Sequence, residues 1–202
     1  MGLTLSWVAV RGLEPEQALA ALGMEVSETL KYEDIGWRDN IALGPLPNGW
    51  LLAVSGESAD AFEGQLEPLT RLGPAVAGEI SEIVMISEAR GYEDGKEIWA
   101  VTHDPEEEES LYALEITGNP PPELDAIVRA ARAEQDAEGG DDASVDLMIE
   151  IPGRLSHAIC GYMPGEHEPH GVDYADLQPI GGRKQAPRQD NRGFFARLFG
   201  RA

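Results

Sequence analysis

A chain of 202 residues with 42% hydrophobic content is long enough for one domain with its own core, and too apolar for wholesale disorder. Its formal net charge of −22 argues against direct nucleic-acid binding, which rests on Lys and Arg neutralising phosphates. The lone Cys160 rules out an internal disulfide, and no run approaches the roughly 18 apolar residues of a membrane span.

Met1–Val10 lacks the basic leader and long apolar stretch of a secretory signal, so a reduced, cytoplasmic setting is expected. The charge is divided unevenly. Almost all the acid lies before residue 181, whereas the last stretch carries Arg183, Lys184, Arg188, Arg192, Arg197 and Arg201 against Asp190 alone.

In chain order, Ser6–Val10 reads as a strand and Glu14–Leu22 as a helix, with Pro15 at its first turn and Gly23 at its cap. Residues 25–39 read as polar and irregular. Ile41–Leu46 and Trp50–Ser55 flank Pro47-Asn48-Gly49, a hairpin signal because Asn and Gly tolerate positive φ. Ala59–Leu72 reads as a helix with Phe62, Leu66 and Leu69 on one face, interrupted by Pro68 and stopped by Gly73-Pro74. Ser81–Ala89 and Glu97–His103 read as two strands joined by the turn residues Glu93-Asp94-Gly95. Asp104–Glu109 is a charged loop, followed by a strand over Leu111–Thr117.

Pro121–Ala137 is the clearest helix, with Leu124, Ile127, Val128 and Ala131 at helical spacing. Val145–Ile151 alternates apolar and polar residues, the pattern of a half-buried strand. Leu155–Tyr162 fits either a strand or a short helix. Beyond Pro164 the Gly, Pro, Arg and Gln content suggests a poorly ordered extension. The expected fold is therefore α+β: an antiparallel, hairpin-built sheet with about three helices packed on one face and a flexible C-terminal extension. The expected organisation is one domain over 1–163, followed by a loop and basic aromatic tail over 164–202. Trp50–Ser55 and Ile98–Thr102 also suggest two stacked hairpin-plus-helix units.

No glycine-rich phosphate loop and no nucleophile elbow is present, so the sequence specifies no catalytic residue and no cofactor. His167, His170 and Asp173 are candidate metal ligands, although Pro169 rules out a helical His pair. His103 ends a strand, and with Cys160 it forms a nominal Cys–His pair. The acidic runs, with Asp104, Glu106, Glu107, Glu108, Glu109, Asp141 and Asp142, read as surfaces for a basic protein. Trp37, in a polar segment, is a candidate recognition residue. Phe194, Phe195, Leu198 and Phe199, interleaved with arginines, form a tail suited to peripheral contact with a membrane or receptor.

The functional expectation is a non-enzymatic, acidic interaction protein that binds a basic protein partner, as immunity or antitoxin-type inhibitors do. This analogy rests on composition alone. One alternative is an adaptor recruited through the Phe/Arg tail. Another is a metal-binding protein or hydrolase using His103 or the His167/His170 loop.

Overall fold

A computed structural model describes residues 2–35, 40–56, 59–62 and 64–181. The elements run β1 (Thr4–Arg11), α1 (Pro15–Leu22), β2 (Met24–Lys31), β3 (Ile41–Leu46), β4 (Trp50–Ser55), α2 (Leu66–Thr70), β5 (Ala75–Ser81), β6 (Ile86–Glu93) and β7 (Lys96–His103). They continue with α3 (Pro105–Glu108), β8 (Glu115–Gly118), α4 (Glu123–Glu138), α5 (Ile151–Cys160) and β9 (Asp173–Pro179). The strands form one antiparallel nine-stranded sheet in the order β2-β9-β3-β4-β1-β5-β6-β7-β8.

The expected α+β class is met, and both expected hairpins form. Asn48 and Gly49 take φ of 61° and 76° between β3 and β4, and Asp94 and Gly95 take 50° and 76° between β6 and β7. Successive residues of a strand point to opposite sides of the sheet, so the two faces recruit different partners. Trp7, Ala9, Leu52, Val54 and Val101 share a cluster with Leu124, Ala131, Ile151 and Leu155, which places α4 and α5 on one face. Val8, Val10, Leu51 and Ala53 share a second cluster with Ala18, Leu22, Phe62 and Leu69, so α1 and α2 extend the packing to the other face.

On the α4/α5 face, aromatic rings lie flat against glycines. Trp7 pairs with Gly78 and Trp99 with Gly91 in register, and Tyr174 covers Gly44. A Cβ on Gly91 would come within 2.1 Å of Trp99 Nε1, and one on Gly78 within 2.4 Å of the Trp7 ring.

Several elements differ from expectation. Val145–Ile151 is not a strand: Met148–Glu150 forms a 3-10 turn and leads directly into α5. Leu155–Tyr162 is accordingly helical up to Cys160. The polar segment after Met24 contains β2, an edge strand with its middle exposed. Ala59–Leu72 breaks into a 3-10 turn (Ala59–Phe62) and the short α2, which carries Pro68. The β5–β6 turn falls inside the expected strand Ser81–Ala89, and Asp104–Glu109 contains the helical turn α3. The strand expected over Leu111–Thr117 is shorter, beginning at Glu115. The sheet also continues past residue 163. β9, within the expected extension, pairs with β2 on one side and β3 on the other. Trp50–Ser55 and Ile98–Thr102 do not form adjacent units, because β1, β5 and β6 separate their strands.

The glycine contacts predict that Gly91→Ala loses about 1–3 kcal/mol of stability through overpacking against Trp99, as measured by urea denaturation.

Candidate functional site

The expected acidic surfaces come together. Asp104 caps α3 by accepting the Glu106 backbone N–H at 3.0 Å, and Glu106 and Glu109 are exposed. Glu107 and Glu108 lie in α3. Asp141 reaches from the end of α4 and accepts both Ser110 Oγ–H and Leu111 N–H at 2.8 Å through Oδ1. Two acidic runs separated by some thirty residues of sequence are thereby fused, with Asp142 exposed beside Asp141. Residues 103–118 and 133–153 contain no Lys or Arg. Tyr112 Oη donates to Asp136 on the same surface, and this bond pushes the phenol up to about 12.

A second feature is a recess of about 480 Å³ between the C-terminal end of α5, the β3–β4 turn and the 163–172 loop. Gly161, with φ 84°, ends α5. Met163 and His167 then exchange backbone hydrogen bonds of 3.2 and 3.0 Å, so the chain doubles back tightly. This fold-back lays the His167 ring on the His157 ring at 3.8 Å and 13° between planes. Glu168 Oε1 accepts Gly165 N–H at 2.9 Å and Tyr32 Oη–H at 3.2 Å. Tyr32 in turn receives a hydrogen bond from the fully buried Tyr162, at 2.7 Å between the phenol oxygens. Pro45, Leu46, Pro47 and Val172 supply apolar wall.

The electrostatics of this site follow from burial. Tyr32, Tyr162 and Tyr174 are all pushed well above the ordinary phenol range, chiefly by desolvation, so they remain protonated donors. The Tyr174 hydroxyl donates to Pro45 O at 3.3 Å. The His157 imidazole is held below 6.5, first by desolvation and then by the adjacent His167. Glu33 is held below its ordinary value, first by its own backbone N–H and then by that of Gly171.

His167, His170 and Asp173 do not converge on one point. His167 stacks on His157, His170 lies edge-on to Tyr32, and Asp173 pairs with Lys31 at 2.5 Å. Among the described residues, no group of three or more His, Cys, Asp or Glu is arranged to hold a metal ion. His103 is buried in a structural network. Its Nδ1–H donates to Ala113 O at 2.7 Å, and Nε2 faces Asp146 Oδ2 at 2.8 Å. Both ring nitrogens are thus occupied, and neither meets Cys160. That thiol lies 3.6 Å from Ser156 Oγ and is pushed up by burial, away from the reactive thiolate. Trp37, Phe194, Phe195, Leu198 and Phe199 lie outside the described residues.

Sequence reading missed His157 and Tyr162, whereas Tyr32 stood out as an aromatic anchor in a polar segment and is buried in the core. The spacing of His157 from His167 carried a signal only once Leu155–Tyr162 was known to be helical and followed by a tight return. Compared with protein-family models, curated proteins and solved structures, the chain matches none. No helix of the described residues is long and apolar enough to cross a membrane.

Two predictions follow from these pairs. Asp146→Ala leaves His103 Nε2 without its buried partner and uncaps Met148 and Ile149, so urea denaturation should show a loss of about 3–5 kcal/mol. Asp146→Asn, which retains an acceptor for both backbone donors, should lose less. For His157, the unfolded imidazole takes up its proton near pH 6.5 while the folded one resists. This contribution to stability is present above that pH and is lost as pH falls through 6.5 towards the lower folded value. The melting temperature of the wild type should therefore fall more between about pH 7.5 and about pH 5.5 than that of His157→Gln.

Proposed function

We propose that this chain is a non-enzymatic, cytoplasmic interaction protein that binds a basic protein partner, in the manner of an immunity or antitoxin-type inhibitor. The observation that carries the reading is the Asp141 bridge, which joins α3 and the end of α4 into one acidic surface built from segments 103–118 and 133–153, neither of which contains Lys or Arg. A patch held by its own hydrogen bonds keeps its charges in fixed relation. That favours fast, selective association with a complementary surface. The overall charge of −22 acts in the same direction at longer range.

The test begins with the immobilised chain and the proteins it retains. The most enriched one is purified, and its association rate is measured at about 50 mM and about 500 mM salt. The expected partner is basic, and its association rate falls by about tenfold or more across that range. Neutralising Glu106, Glu109, Glu138 and Asp142 to Gln or Asn should slow association at low salt without changing the melting temperature appreciably. An acidic partner, or a rate indifferent to both salt and these substitutions, overturns the reading.

A further inference from the structure

We propose that the recess at the C-terminal end of α5 seats an arginine side chain from an extended basic segment of the partner. This deepens the reading above and rests on it. The recess has the volume of a specific ligand site, with apolar walls and a small number of placed polar groups.

The polar groups select the ligand. Glu168 carries the charge. Its Oε1 is committed to Gly165 N–H and the Tyr32 hydroxyl, which fix the carboxylate in place. Among the described residues, the group facing its Oε2 is His170 Nε2, at 3.5 Å, longer than an ordinary hydrogen bond. A carboxylate accepts about four hydrogen bonds, so this oxygen retains capacity for a donor. The Glu168 side chain is 18% exposed, so an ion pair formed there is less screened than one on the open surface. The stacked His157 and His167 line the same recess as Glu168, and guanidinium stacks on aromatic rings. Pro45, Leu46, Pro47 and Val172 suit the methylene stem of a long cationic side chain.

Local charge agrees with a cation. Between Arg154 and Arg183 the sequence contains no Lys or Arg, and Lys31, on the neighbouring strand, is already paired with Asp173. Lysine satisfies the carboxylate but not the flat ring face, so the geometry favours arginine over lysine. A second recess, of about 370 Å³ beside Ile159, is lined by Trp50, Trp99 and Pro120–Pro122 and brings together no comparable set of charged groups.

The test uses the full chain and a blocked pentapeptide, glycine-alanine-arginine-alanine-glycine, with a citrulline counterpart of the same shape and no charge. The readout is the ring-proton resonances of His157 and His167 by NMR, with buried His103 as internal reference. The arginine peptide should shift both rings saturably and leave His103 unmoved. The citrulline peptide, and the arginine peptide on Glu168→Gln, should each bind at least about tenfold more weakly. Gln still accepts from Gly165 and Tyr32, so this variant keeps the loop. His157→Gln, read at His167, provides a second variant and should also weaken binding. Neutralising Glu106, Glu109, Glu138 and Asp142 should leave the titration unchanged at high salt.

Equal binding of the two peptides, or equal binding to wild type and Glu168→Gln, overturns the arginine seat. If the arginine peptide instead responds only to the four acidic-surface substitutions, the recess inference fails while the acidic-surface reading stands. If no ring shifts at any concentration, the recess inference fails, and the partner's association rate alone decides the reading above.

Discussion

The side of the sheet that carries the recess is organised around Trp7. This residue is 1% exposed on β1, the central strand, and its ring lies on Gly78 of β5, where a Cβ would collide with it. A buried indole N–H needs an acceptor, and Ser156 Oγ supplies it at 3.1 Å. That bond, with the burial of Ile151, Leu155 and Cys160 against the same cluster, fixes the rotation of α5 about its own axis. With Ser156 turned towards the sheet, His157 lies about 100° further round the helix, on its flank. The flank is where the 163–172 loop returns and lays His167 on His157. A packing requirement at the centre of the sheet thus decides where an imidazole pair meets solvent.

Trp7 also begins the aromatic series that reaches the recess. Its ring meets Tyr162 edge-on at 5.7 Å, Tyr162 meets Tyr32 at 6.1 Å, and Tyr32 meets Tyr174 at 5.6 Å. The hydroxyls of Tyr162 and Tyr32 then lead to Glu168. The carboxylate is therefore tied to buried residues on α5's end and the β2–β3 connection, as well as to its own loop. A group held in this way loses little freedom when it binds, which is how a small site achieves selectivity.

Local chemistry made part of this fold legible. The β3–β4 and β6–β7 hairpins were readable because their turns need Asn48, Gly49, Asp94 and Gly95 at positive φ, a property of single residues. α4 was readable from its spacing. The alternation of Val145–Ile151 misled because hydrophobic period says nothing about where the backbone bonds go. There, Gln135 Nε2–H donates to Val145 O, Gln135 Oε1 accepts Leu147 N–H, and Asp146 accepts from Met148 and Ile149. Side chains satisfy the backbone that a neighbouring strand was expected to satisfy. β9 was hidden for another reason. Its residues are half polar, and Asp176 is accommodated by Ser27 Oγ–H at 2.9 Å and Asn40 Nδ2–H at 3.1 Å, both remote in sequence. The recess depends on the same long-range returns. His167 alone reads as a loop residue, and its role appears only once α5 and β9 are in place.

The acidic surface and the recess lie at opposite ends of the strands. α3 follows His103, which pairs with Ser87 at the β6 start, next to the β5 end. The recess adjoins Leu46, which pairs with Trp50 at the start of β4, the end where β1 finishes at Arg11. β1 is eight residues long, so the separation along the strands is on the order of 25 Å. No single small cation spans that distance. Under the proposed reading, the broad charge acts before contact and raises the rate of encounter, because its field extends over about a Debye length beyond the surface. On the same reading the recess acts only at contact, through its shape and the fixed Glu168 carboxylate. A ligand that uses both must be a macromolecule carrying basic residues over a comparable span. Under the proposed reading, this separation makes a basic protein, rather than a metabolite or a metal ion, the partner that fits.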